Sequence, residues 1–179
     1  MYNIEAYITN LGMYNEGRLV GVWARFPLSL EELDDVKKAI GIDGVRYKEM
    51  FNTDYVCKIK GLSKCLGEYD SIKDLNTLSE EIGRLDDSDL KLFSAIIETE
   101  KHASNIDDVI KIIYNLDDFC FMEGVKTYED LGQHEAKEMF ETKIYEQICC
   151  YFDFESFGKD TACFLTGDFT SFGYVYCER

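Results

Sequence analysis

One proline, Pro27, two histidines, His102 and His134, and 19 lysines and arginines against 35 aspartates and glutamates mark the 179 residues of this chain. With so little proline, Pro-rich linkers are excluded. So few histidines leave little for metal ligation or general base chemistry. The shortage of cations, a formal net charge of −16, disfavours a direct grip on nucleic acid, because a binder must displace the counterions of a polymer carrying about one charge per 1.7 Å. Adsorption to anionic membranes is disfavoured for the same reason. No apolar run is long enough for a membrane span, and the start, MYNIEAYITN, lacks a basic segment followed by an apolar one. The G-x-G-x-x-G fingerprint, the Walker loop and the G-x-S-x-G elbow are absent as well.

What is present suffices for a core. Hydrophobic residues make up 46 % and aromatics 14 % of the chain, which argues against the disorder that high net charge can signal. The seven cysteines, Cys57, Cys65, Cys120, Cys149, Cys150, Cys163 and Cys177, are odd in number and contain no C-x-x-C pair. They are expected to be reduced thiols of a cytoplasmic protein, packed as small hydrophobes. His134-Glu135-Ala136-Lys137-Glu138 has a glutamate where a zinc helix needs its second histidine, and Asp86-Asp87-Ser88-Asp89 lacks the glycine and glutamate of a calcium loop. Carboxylates at a helix N-terminus explain the latter better. The expectation is no catalytic residue, no metal and no cofactor.

Charge is distributed unevenly. Residues 1–66 hold 9 acidic and 9 basic side chains, residues 67–179 hold 26 and 10, and residues 67–135 alone hold 18 and 6. The element pattern follows the same division. Ile4, Ala6 and Ile8 alternate with Glu5, Tyr7 and Thr9 as in a half-buried strand, and a turn at Asn15-Glu16-Gly17 leads to a paired strand over residues 19–26. Ser29 and Glu32 have the spacing of a capping box for a helix through Leu33, Val36 and Ile40 that stops at Gly41, and a third strand is expected over residues 55–59. Three short helices follow, behind Ser71, Ser88 and Asn105. The last third reads as a strand over 118–125, a helix over 128–148 and a strand or hairpin over 163–176. The fold class is therefore α+β in three small domains: an N-terminal sheet with one helix (1–66), an acidic helical domain (67–115) and a C-terminal mixed domain (116–179).

The acidic surface is the main candidate site. Glu68, Asp70, Asp74, Glu80, Glu81, Asp86, Asp87, Asp89, Asp107, Asp108, Asp117, Asp118, Glu129 and Asp130 carry it. Such concentration costs self-repulsion that a merely soluble protein would relieve with a few lysines. A helix rises about 1.5 Å per residue, so carboxylates four apart stand about 6 Å apart along it, on the scale of neighbouring phosphates.

Three stretches carry a family resemblance. LGMYNEGRLVGVWARFPL (11–28) resembles the N-terminal signature of the ArdA antirestriction proteins, and YFDFESFGKD (151–160) resembles their C-terminal motif of aromatic and acidic residues ending in F/Y-G-R/K-D. Between them, EYDSIKDLNTL (68–78) is similar to the start of that family's helical middle domain. Order and spacing agree along nearly the whole chain, least over 119–148. The resemblance implies an elongated three-domain α+β homodimer that mimics bent duplex DNA in the cytoplasm of a host bacterium receiving a phage or mobile element. Its partner would be a host type I restriction-modification enzyme, whose DNA groove it occupies without catalysis, without binding nucleic acid itself and without a membrane. An inhibitor of another DNA-binding defence system, such as a CRISPR complex, is the alternative use of the same surface. By the same resemblance Tyr151, Phe152, Asp153, Phe154, Glu155, Phe157 and Asp160 lie near the dimer interface. Asn15, Glu16, Gly17 and Trp23 are expected to be fold determinants, a turn and a buried anchor. Arg18, Arg25, Lys37, Lys38, Arg46, Lys48, Lys58, Lys60 and Lys64 depart from a phosphate-like pattern and make the first domain a poor contributor to mimicry.

Overall fold

The computed structural model describes residues 4–178. The order is β1 (Ile4–Asn10), α1 (Leu11–Asn15), β2 (Gly21–Arg25), α2 (Leu30–Ala39), β3 (Met50–Cys57), α3 (Ile72–Arg84), α4 (Asp87–Glu98), α5 (Ile106–Tyr114), β4 (Phe119–Glu123), α6 (Tyr128–Met139), α7 (Thr142–Ile148), α8 (Phe154–Leu165), β5 (Asp168–Phe169) and β6 (Gly173–Cys177). This is the expected α+β class. Two antiparallel sheets form, in strand orders β2-β1-β3 and β4-β6-β5.

Period-2 burial sets the first sheet: Ile4, Ala6 and Ile8 face the core, and β1 pairs with β2 through Ala6 and Ala24 and through Tyr7 and Trp23. The connection between these strands contains the one-turn helix α1, capped by Asn10, and then Gly17, whose φ of +79° only glycine adopts without strain. Asn10 is fully buried; its side chain donates to the Ile40 carbonyl at 2.9 Å and accepts from the Met13 N–H at 2.9 Å. Ser29 and Glu32 form the expected capping box of α2.

The helical region packs beneath this sheet. Leu75, Leu78 and Ile82 of α3, Phe93, Ile96 and Ile97 of α4 and Val109 and Ile112 of α5 join Ile4, Ala6 and Ile8 in a single buried cluster that runs from Ile4 to Leu116 and takes in Val175. Each such side chain larger than alanine contributes about 1.5–3 kcal/mol. Asn76 of α3 clasps Leu28, accepting its N–H at 2.7 Å and donating to its carbonyl at 2.8 Å. Val125, Leu131 and Tyr174 form a separate small core in the last third.

Several boundaries differ from those expected. The third strand begins at Met50, five residues early: buried Phe51 and Asn52 pair with Thr9 and Ile8, ahead of a register shift between Ile8 and Tyr7. Asp86, and not Ser88, caps α4, accepting from the Ser88 and Asp89 N–H groups. The single helix expected over 128–148 is two, broken where Phe140 takes an extended backbone (φ −102°, ψ 140°) and sets its ring against Phe152 at 5.9 Å. Residues 163–165 are the end of α8, so the C-terminal hairpin is only β5 and β6.

Trp23 is not a buried anchor. It is 45 % exposed, because Ala24 is the β2 residue that points inward, leaving Trp23 on the open face with its ring edge-on to Tyr7 at 5.4 Å.

Candidate functional site

The fourteen carboxylates divide into two kinds by what they touch. Six do structural work. Asp70 accepts the Gly67 N–H, Asp74 the Ser71 hydroxyl that caps α3, and Asp86 caps α4. Asp108 accepts from Ser104 and Asn105 and pairs with Lys111, Asp130 completes a capping box with Thr127, and Glu81 pairs with Arg84. The other eight, Glu68, Glu80, Asp87, Asp89, Asp107, Asp117, Asp118 and Glu129, are all exposed. Among the described residues none of the eight forms an ion pair with a lysine or arginine.

Positioning comes from the helix starts. Asp87 and Asp89 sit in the first turn of α4, Asp107 in that of α5 and Glu129 in that of α6, where the unpaired N–H groups and helix dipole favour negative charge. Buried Asn52 of β3 fixes the segment before α3, donating its N–H to the Glu68 carbonyl at 2.8 Å and its side chain to the Asp70 carbonyl at 3.0 Å. Burial, and then the charges of Asp74 and Asp107, hold Asp70 above the usual carboxylate range despite the Gly67 N–H it accepts. The starts of α3 and α5 thus concentrate negative charge at close quarters.

The basic residues of the first third are largely consumed within the protein. Arg18 and Arg46 pair with Glu16, Lys37 and Lys38 with Asp34 and Asp35, and Arg25 with Glu5. Lys60 and Lys64 reach across to Glu98 (2.6 Å) and Glu100 (2.5 Å) of the helical region. Glu98 also accepts from the Ser171 hydroxyl at 2.6 Å, joining three parts of the chain. Burial alone would raise its carboxyl, but Lys60 and Ser171 hold it below its ordinary value. These cations therefore cancel neighbouring acids, both within the first third and across its border with the helical region.

Of the signature residues 15–17, Glu16 gathers the side-chain partners that hold the turn. It accepts from Arg46 (2.8 Å), the Tyr47 hydroxyl (2.9 Å) and Arg18 (2.8 Å), and these, in that order, bring its carboxyl from its ordinary 4.5 down to about 2. A lowered folded-state pKa stabilises the fold above the unfolded value and loses that stabilisation as pH falls through the folded one. Glu16→Gln should therefore lower the urea midpoint at pH 7 and leave variant and parent converging between about pH 4.5 and 2. A constant difference down to pH 2 would assign the residue no ionic role.

The aromatic motif at 151–160 is mostly turned inward. Asp153 caps α8, and Phe152 contacts Phe140, Phe154 and Phe157 at 5.9, 5.1 and 5.4 Å. Gly158 lies where α8 crosses α6 at Gly132. Tyr151 alone of the motif's aromatics is exposed, at 91 %, accompanied by Glu155 and Asp160. Met139, Ile144 and Phe164, the last 86 % exposed, add apolar surface on α6, α7 and α8. Sequence periodicity could not find these three, since on a helix their spacing is indistinguishable from that of core positions.

His102 sets its ring edge-on to Phe119 at 5.1 Å, and His134 lies 3.6 Å from Glu135. Among the described residues no three His, Cys, Asp or Glu side chains gather as a metal site, and no helix is long and apolar enough to cross a membrane. No curated protein matches the sequence. The family model described as Antirestriction protein (ArdA) matches residues 6–176, almost the whole chain. That family inhibits restriction-modification systems and is not one of enzymes. By the length of that match, together with the order of its signature segments, the chain belongs to the ArdA family of antirestriction proteins.

Proposed function

We propose that the protein inhibits type I restriction-modification enzymes by presenting a DNA-like array of carboxylates to their DNA-binding groove. The observation that carries this reading is the set of eight exposed carboxylates between Glu68 and Glu129, none of which forms an ion pair with a lysine or arginine among the described residues. A groove built for phosphates is lined with lysine and arginine, so it is complementary to such a field. Inhibition should compete with duplex DNA and weaken steeply between about 50 and 200 mM salt. Titrating a purified type I enzyme with the protein in the presence of labelled duplex decides this; binding that ignores both DNA and salt would sink it. Capture of a CRISPR complex in place of a restriction enzyme would move the target and keep the surface. Chelator and reductant should leave inhibition intact.

The same proposal includes a homodimer formed by the last third, where Met139, Ile144, Tyr151 and Phe164 expose apolar area. Light scattering at micromolar concentration should give twice the 20.7 kDa of one chain. Tyr151→Ser with Phe164→Ser should give a folded monomer, and a parent chain that is strictly monomeric would remove two-fold geometry from the mimicry.

A further inference from the structure

We propose that the adjacent thiols of Cys149 and Cys150 are a modification site that takes a low-molecular-weight disulfide and closes to a vicinal disulfide, remodelling the turn that presents Tyr151. The two Sγ atoms stand 4.0 Å apart where α7 ends. Cys150 is exposed and Cys149 half-buried, its thiol donating to the Glu146 carbonyl at 3.5 Å. The turn is held by three backbone bonds: Cys149 N–H to the Tyr145 carbonyl (2.9 Å), and Tyr151 and Phe152 N–H to the Ile148 carbonyl (2.8 and 3.0 Å). These bonds place Phe152 in its ring cluster and leave Tyr151 outside.

Closure cannot leave that turn unchanged. Neighbouring Cα atoms are about 3.8 Å apart across a trans peptide, whereas unstrained disulfides span about 4.4–6.8 Å. The backbone at 149–150 must therefore rearrange, and the strain makes the product easily reduced. Such a bond forms under disulfide stress and reopens when thiols are restored.

The chemistry is two successive exchanges. The Cys150 thiolate attacks one sulfur of the small disulfide, forming a mixed disulfide and expelling a thiolate that takes up the proton Cys150 lost. Cys149 then loses its proton and attacks Cys150 Sγ, forming the Cys149–Cys150 bond and releasing the second small thiol. Two cysteine thiols are oxidised and one small disulfide is reduced. Cys150 goes first because desolvation and the adjoining thiol hold Cys149 above its ordinary value. Half-buried Cys57 and buried Cys65 do not compete: burial, then Cys65, pushes Cys57 up to about 12.

The consequence for assembly rests on the reading of this region as the dimer face. Incubating the full chain with glutathione disulfide and mapping peptides by mass should show residues 149 and 150 losing two hydrogens, reversibly with dithiothreitol. The near-UV circular dichroism of the aromatic cluster should change, and the dimer dissociation constant should rise about tenfold or more. Cys149→Ser with Cys150→Ser should show none of these. A glutathione adduct that persists on Cys150 without closure, or closure with an unchanged near-UV signal, overturns the proposal. A chain already monomeric before oxidation refutes the dimer reading alone, because the mass loss and the aromatic signal still decide the thiol chemistry.

Discussion

Gly132→Ala and Gly158→Ala are each expected to unfold or loosen the last third of the chain, lowering stability by about 3 kcal/mol or more and the melting temperature by about 10 °C. The two glycines mark the crossing of α6 and α8. A Cβ at Gly132 would overlap the Phe154 carbonyl oxygen and stand 3.0 Å from the Gly158 nitrogen, and one at Gly158 would overlap the Tyr128 carbonyl oxygen and stand 2.9 Å from the Gly132 nitrogen. All of these are backbone atoms, which cannot swing aside as a flexible side chain would. The helices must separate, opening contacts around Phe154 and exposing the Phe152 cluster. Gly83→Ala is the matched control: a Cβ there, on an exposed position of α3, meets nothing within 4 Å. It should stabilise by about 0.5–1 kcal/mol, the ordinary gain of alanine over glycine in a helix. Thermal and urea unfolding of the three variants check the contrast, and a Gly158→Ala protein as stable as its parent would mean that the crossing is looser than described. The loss should extend to inhibition if the dimer forms through α6–α8, since both helices would be displaced.

The motif glycine illustrates what the sequence does and does not disclose. Its neighbourhood in the F-G-K-D stretch was legible as a family signature, but the reason for the glycine, a backbone approach by Tyr128 thirty residues earlier, depends on tertiary contact and leaves no local pattern. Local rules served well where the signal is itself local: the alternation of Ile4, Ala6 and Ile8, the capping box of Ser29 and Glu32, and the caps at Ser71 and Asn105 all became elements at or near those residues. They failed at 128–148, where one apolar-periodic stretch hides a break made by Phe140 reaching for Phe152. They failed also for Trp23, since strand periodicity cannot tell which face of an edge strand is covered. The acidic surface was legible as a composition and illegible as a geometry. Counting assigned the same weight to Asp86, which caps a helix, and to Asp87, which does not.

Neutralising the eight unpaired carboxylates, Glu68, Glu80, Asp87, Asp89, Asp107, Asp117, Asp118 and Glu129, to the matching amides should weaken inhibition on the order of a thousandfold. Exposed pairs with a target's lysines and arginines are worth about 0.5 kcal/mol each, so eight together reach about 4 kcal/mol, the equivalent of that factor. The fold should survive, because among the described residues these side chains carry no ion pair. The salt dependence should flatten in parallel, as fewer counterions are released per complex. Two comparison sets test whether position matters as well as charge. Neutralising Glu31, Glu32, Asp34 and Asp35 of α2 removes carboxylates from the charge-balanced third, two of them already paired with Lys37 and Lys38, and should cost little inhibition. Neutralising Asp74, Glu81, Asp86 and Asp108 should act chiefly through stability, since it removes caps and internal pairs. Single substitutions within the eight should each change inhibition only a few-fold, because the interaction is a summed field. For the proposed dimer, at about one charge per 1.7 Å, twice the 35 carboxylates of a chain would correspond to about 120 Å of duplex and twice its net 16 to about 54 Å, and a footprint on the target should fall between the two. Equal losses from the eight and from the α2 set, with folding intact in both, would mean that net charge alone governs binding. One carboxylate whose removal abolishes inhibition would point instead to a localised contact and against a DNA-like array.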